Sequence, residues 1–211
     1  QRFLHFGRAL AVTGGNSYAS PPTQQLAIQH HNGATPALST SVAANAISMT
    51  ADHVTVESLG LCQEQIRKLN EGLLLFYTNI ARKAESVLSE QVQNMEQRLH
   101  VLREMKSLAL QARQALEAQQ FDEFGQLLDQ SWQLKKQMAS RVSNSTIDSI
   151  YDTAKAAGAI GGKITGAGGG GFLLLYCHPH QRNSVRQALS SLPELPFRLE
   201  SGGTRVIFNF A

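Results

Sequence analysis

One stretch near the C-terminus, Gly161–Cys177, limits what this chain can fold into more than any other. It reads GGKITGAGGGGFLLLYC. Gly162, Gly166 and Gly168 to Gly171 crowd together and lead straight into Phe172-Leu173-Leu174-Leu175-Tyr176-Cys177. Glycine loses more backbone freedom on ordering than any other residue. Such a cluster therefore points to positive φ, or to close approach of backbone to a neighbour or ligand. The apolar run behind it has the length and character of a short strand buried on both faces. A glycine loop feeding a core strand can turn several N–H groups toward an anion, as a nest does.

The rest of the chain suits a globular protein built around that stretch. Its 211 residues allow one large or two small domains with a proper core. Hydrophobic residues make up 42% and charged residues 17%, which excludes a disordered chain. No apolar run approaches the roughly 20 residues that span a bilayer. No apolar segment follows a basic start, so no signal peptide is expected and the predicted setting is cytoplasmic. Cys62 and Cys177 are too few for a disulfide framework or a zinc site. His30-His31 sits in a polar stretch without the partners a metal needs, so no metal site is expected. The net charge of +3 is scattered rather than gathered into a stripe. That argues against nucleic acid as a partner and leaves a small anionic substrate open.

Taken in order, residues 1–51 carry few charges and many Ala, Ser, Thr, Gln and Asn. Their apolar pieces, Ala9–Val12 and Ala37–Val42, are short, and Gly14-Gly15-Asn16-Ser17 and Ser20-Pro21-Pro22 signal turns. A short irregular or β-hairpin segment is expected there, not an independent domain. His53–Glu57 alternates with period two and reads as a strand. Ile66 and Leu69 predict a short helix over 63–72. Leu73–Thr78 reads as a second buried strand, with a continued helix as the competitor.

From Ala81 to about Gln119, apolar residues from Leu88 through Val92, Leu99 and Met105 to Leu116 step by three or four, with no Pro or Gly between. This predicts one long helix with a single stripe, packed within the molecule and leaving a homodimer open. Phe121–Val142 predicts another helix with Phe124, Leu127, Leu128, Leu134 and Met138 inward. A third is expected to start on a capping box at Ser145–Asp148 and to stop at Gly158. Pro179–Leu192 then reads as a helix. Phe197–Glu200 and Thr204–Phe210 read as strands joined through Ser201-Gly202-Gly203. The class is α+β.

Gly166–Gly171 formally fits G-x-G-x-x-G, but a dinucleotide loop needs a strand before it and a helix after it. Here a strand follows. Lys163 precedes the glycines, so a Walker A loop cannot be drawn either.

The run Gly161–Phe172 resembles the C-terminal glycine-rich motif of the GHMP kinases, and within them the branch acting on D-glycero-D-manno-heptose 7-phosphate. Leu74–Thr78, Trp132–Lys136, Ile147–Gly158, Phe197-Arg198 and Arg205–Phe208 are similar to that branch in unbroken order, from about Val54 to Phe210. The resemblance implies a ferredoxin-like α+β domain with a helical layer over residues 52–211. Residues 1–51 are then a remnant of the family's N-terminal domain.

It further implies that Gly166, Ala167, Gly168, Gly169 and Gly170 approach the phosphates of nucleotide and substrate. Lys135, Lys136 and Lys163 become candidates for contact with a phosphorylated sugar. The implied cofactors are ATP and Mg²⁺, the implied activity a sugar kinase, and no membrane or nucleic-acid partner is expected. Two departures qualify that activity. The family's ATP loop, P-x-x-x-G-L-[AG]-S-S, does not occur in the chain, and Asn16 and Ser17 stand where an acidic residue usually follows the first glycine turn. No catalytic residue is assigned for that reason. The alternatives are a non-catalytic module that binds a sugar phosphate or docks on a partner, and a rearranged product without a role.

Overall fold

The computed structural model describes residues 2–6, 10–11, 45–49, 54–82 and 84–199. Two antiparallel sheets organise them. The first joins β1 (Arg2–Phe6), β2 (Leu10–Ala11), β3 (Asn45–Met49) and β4 (Val54–Ser58) in the order β2-β1-β3-β4. β4 is the strand read from the alternation of His53–Glu57, and it pairs with β3 from Met49↔Val54 to Asn45↔Ser58. Ala37–Val42, the turns at 14–17 and 20–22, His30-His31, the turn at 201–203 and the strand expected at Thr204–Phe210 lie outside the described residues.

The second sheet holds the glycine loop. It consists of β5 (Leu73–Tyr77), β6 (Ala159–Ile164) and β7 (Phe172–Cys177) in the order β5-β7-β6. β7 is central and Leu173 to Cys177 are all buried, as a doubly covered apolar run requires. Period-two alternation divides its side chains between two cores. Leu174 and Tyr176 join Leu73 and Leu75, Ile66 and Leu69 of α1 (Gln63–Gly72), and the inner faces of α3 (Leu99–Glu117) and α4 (Phe121–Lys136). Leu173, Leu175 and Cys177 join Leu74, Phe76, Trp132, and residues of α5 (Ser145–Ala156) and α6 (Arg182–Ala188).

β6 is a strand that the sequence hides behind its two glycines. A Cβ on Gly161 would lie 2.0 Å from the Gly125 carbonyl oxygen, and one on Gly162 2.3 Å from that of Leu174. Glycine at 161 lets α4 lie directly on β6, and glycine at 162 leaves room for the backbone of β7.

The single long helix predicted over 81–119 is two helices. α2 (Ala84–Gln93) and α3 are separated by turns at 94–98. The break needs neither Pro nor Gly, because the two halves serve different cores: Val87 belongs with Trp132 and Leu175, whereas Val101, Leu108, Ala112 and Leu116 belong with Leu174. Asn94 holds the junction by donating from Nδ2 to the Met138 carbonyl at 3.0 Å. The first part of the expected stripe is displaced, since Leu88, Val92 and Leu99 are exposed and Val87 and Val101 are buried, whereas Leu116 at its end is buried as expected.

α4 stops at Lys136 and a 3₁₀ turn, Ser140–Val142, follows. The five residues expected to point inward over 121–142 are all buried, Met138 just past the end of α4. α5 is capped by Asn144, whose Oδ1 accepts the Ile147 N–H at 3.0 Å, rather than by a box from Ser145. Gly158 takes the expected left-handed stop, with φ +108. α6 is shorter than predicted and follows a 3₁₀ turn over Pro179–Gln181. Phe197–Leu199 is irregular rather than a strand. Among the described residues no helix is long and apolar enough to cross a membrane.

Candidate functional site

Residues 165–171 link β6 to β7. The Thr165 N–H donates to the Phe172 carbonyl at 2.8 Å and closes the neck of the loop. Beyond it, Gly166, Gly168, Gly169, Gly170 and Gly171 have φ of +73, +105, +77, +152 and +88. Side chains rarely tolerate that region, so the path of the loop depends on glycine. Three of these glycines also touch backbone. Their Cβ positions would fall 2.8 Å from Val142 O at Gly168, 2.7 Å from Arg141 O at Gly169 and 2.3 Å from Ile80 O at Gly170. At Gly166 and Gly171 the same direction is open.

The loop is fastened by its own backbone and by donors from three further residues, Thr78, Gln91 and Lys135. Gly169 N–H donates to Val142 O at 2.6 Å and Gly171 N–H to Ile80 O at 2.9 Å. Thr78 donates to Gly171 O from both its N–H and its hydroxyl, each at 2.8 Å. Gln91 Nε2, on α2, donates to Ala167 O at 3.1 Å. Lys135 Nζ, on α4, donates to Gly166 O. Among the described residues, the N–H groups of Gly166, Ala167, Gly168 and Gly170 have no acceptor. Backbone donors held in place without partners are what an anion-binding nest offers.

Two lysines lie beneath this loop. Lys135 and Lys163 are each 2% exposed, on facing elements α4 and β6. Burial, and then the neighbouring Lys163 ammonium, push Lys135 well below the ordinary lysine value. Burial alone pulls Lys163 down to about 8. Lys136, next along α4, turns outward to Asp148 Oδ1 at 3.3 Å, and Asp148 also accepts from the Ser143 hydroxyl. Of the three lysines named from sequence, then, Lys135 touches the loop, Lys163 lies close to Lys135, and Lys136 belongs to the start of α5.

The α4–β6 contact is pinned by a polar network that sequence reasoning missed. Tyr151 donates to Asp129 Oδ1 at 2.7 Å and accepts the Gly162 N–H at 3.1 Å. Lys155 Nζ bridges Asp129 Oδ2 at 3.2 Å and the Ile160 carbonyl at 2.6 Å. Burial pushes the Asp129 carboxyl up, but hydrogen bonds from Tyr151 and Gln133 and the Lys155 ammonium outweigh it and hold the group below the ordinary carboxylate value. Burial first, then Asp129, pushes the Tyr151 phenol above its ordinary value. Thr78 and Gln91 were missed as well. Thr78 carries a signal, a polar residue directly behind an apolar strand; Gln91 carries none.

A cavity of about 820 Å³ lies elsewhere, beside β5, lined by Arg67, Arg182, Arg186, Glu194 and Phe197 among others. It does not reach the glycine loop. Among the described residues, no group of three or more His, Cys, Asp or Glu could hold a metal ion.

Residues 112–194, which run from α3 through the loop to the segment after α6, match the family described as GHMP kinases C terminal. Over that stretch the chain is similar to the GHMP kinase C-terminal domain. The mixed α/β architecture is that of this ferredoxin-like domain. The D-glycero-alpha-D-manno-heptose 7-phosphate kinase of Campylobacter jejuni is 32% identical over 124 residues, 58% of this chain and 37% of that protein. The L-fucokinase/L-fucose-1-P guanylyltransferase of Bacteroides fragilis is 37% identical over 122 residues, 56% of this chain and 13% of that protein. Among solved structures, a candidate sugar kinase from Campylobacter jejuni superposes with a TM-score of 0.57 at 28% identity, covering 75% of this chain and 46% of its own. The chain thus spans less than half the length of each of these relatives. The resemblance is to kinases of sugars and sugar phosphates.

Proposed function

We infer that the GHMP domain forms the phosphate-handling side of a sugar kinase site. There the γ-phosphate of ATP passes to a hydroxyl of a sugar resembling heptose 7-phosphate. The observation that carries this is the set of uncommitted N–H groups at Gly166, Ala167, Gly168 and Gly170, on a loop whose carbonyls at Gly166, Ala167 and Gly171 are already bonded. Phosphoryl transfer is catalysed mainly by positioning and by electrostatic stabilisation of the moving charge. A rigid row of donors suits both tasks.

In this reading the four N–H groups hold phosphoryl oxygens, and Gly169 supplies close backbone packing against Arg141. Lys135 and Lys163 set the loop from below, and Lys136, 29% exposed at its side chain, is the lysine of the three with access to substrate. ATP supplies the phosphoryl group when bound, and the loop donors fit its phosphates. The described residues do not fit Mg²⁺, and none is assigned to it. Nucleotide and sugar-phosphate substrates suit a cytoplasmic setting.

The test is ADP release by the full chain with Mg-ATP and a panel of heptose, hexose and mevalonate-type acceptors. Release above the no-acceptor blank with a phosphorylated heptose supports the kinase. Release at the blank level with every acceptor removes it. Thermal stabilisation by a sugar phosphate without turnover assigns a binding module instead.

A further inference from the structure

Arg82 belongs to no motif and to no part of the site described so far, yet it lies on the glycine loop. Its Cδ is 3.2 Å from where a Cβ on Gly169 would stand. Gly169 lies between Gly168 and Gly170, whose N–H groups have no acceptor among the described residues. The segment that carries Arg82 is bonded to the loop twice before it, by Thr78 to Gly171 O and by Ile80 O to the Gly171 N–H. A left-handed residue, Asn79 with φ +57, turns it there. The base of the side chain is thereby fixed, while the residue itself is exposed.

The other cations around the loop are engaged. Lys135 is bonded to Gly166 O, Lys136 pairs with Asp148, and Arg141 lies 3.8 Å from the Glu90 carboxylate. Lys163 is enclosed between α4 and β6. Among the described residues, no hydrogen bond or ion pair occupies the Arg82 guanidinium. A guanidinium offers two parallel N–H donors matched to a pair of phosphoryl oxygens, which an ammonium cannot reproduce.

We propose that Arg82 is an anion-binding residue of the glycine-loop site, clamping the phosphoryl group that the Gly168 and Gly170 N–H groups receive. The inference rests on the phosphate-binding reading of the loop and adds to it a side-chain contact and a ligand class, a terminal phosphate dianion. Sugar phosphate and nucleotide both carry that chemistry.

The test uses the full 211-residue chain, ¹⁵N-labelled and titrated with inorganic phosphate, mannose 6-phosphate, free mannose and ADP. In the unmodified chain, phosphate should move the Gly168 and Gly170 amide resonances. Arg82→Gln should weaken phosphate binding about tenfold, the size of a charge-assisted hydrogen bond lost. Arg82→Lys should recover part of that loss, and Lys106→Gln, an exposed change on α3, should leave it alone. Selective loss of mannose 6-phosphate assigns the clamp to the sugar, selective loss of ADP to the nucleotide, and either supports it. Unchanged affinity in Arg82→Gln while the glycine amides still move overturns the role of Arg82 and leaves the loop reading standing. An equal loss for free mannose overturns the phosphate clamp. Immobile glycine amides in every titration overturn both.

Discussion

At the scale of single residues, the buried lysines give the domain an unusual pH response. Lys163 titrates near 8 in the folded chain and near its ordinary 10.5 when unfolded. Between those values the unfolded chain holds more protons, so stability rises with pH through that window and is flat below it. Urea midpoints should therefore climb from about pH 8 to about pH 10.5, the window set by the two pKa values. Lys163→Met should flatten part of the climb; an equally steep rise in that variant would remove the explanation. Tyr151→Phe makes a separate case. It strips the Gly162 N–H of its acceptor inside the protein, and equilibrium unfolding should report a loss of about 1–3 kcal/mol. The loop glycines were legible because five left-handed residues leave glycine as the natural choice. The burial of Lys135 and Lys163 was not, because a lysine among helical polar residues, or beside glycines, gives no sign that it points inward.

At the scale of elements, α4 and β6 approach closely because Gly125 and Gly161 leave nothing between them. Gly161→Ala would place a methyl carbon 2.0 Å from a backbone oxygen that no rotamer change can move. We expect a destabilisation of more than about 2 kcal/mol, seen as a lower urea midpoint. Gly60→Ala is the comparison: it meets no atom within 4 Å, and its φ of +63 confines the cost to backbone strain of about 1 kcal/mol. The strand β7, the helix α1 and the inner face of α4 were legible because each follows one period toward one core. β6 was not, since glycine carries no hydropathy signal. Nor was the α2–α3 break, where apolar steps of three and four run on past Asn94 although the two sides face different cores.

At the scale of the whole molecule, the two faces of the β5-β7-β6 sheet meet different partners. α1, α3 and most of α4 cover one, and α5 and α6 cover the other. The N-terminal sheet is tied to the first layer where Glu57 of β4 pairs with Arg113 on α3. Both partners are partly exposed, and Arg113→Ala should cost under about 1 kcal/mol in thermal unfolding. The displaced stripe leaves Leu88, Val92 and Leu99 at the surface. Leu88→Ser should then shift the unfolding free energy by no more than about 0.5 kcal/mol, where a core stripe would have lost several. The α+β class and the family resemblance were readable across this scale because the order of the elements survives every local error of boundary.

The three successive amides of Gly166, Ala167 and Gly168 have one more consequence. The carbonyls of the first two are turned to Lys135 and Gln91, so the donors of that stretch are left without oxygens competing beside them. Such a surface is positive through its peptide dipoles and carries no proton that can dissociate. Attraction for a dianion along it should therefore persist on the alkaline side, where buried amines begin to lose their charge.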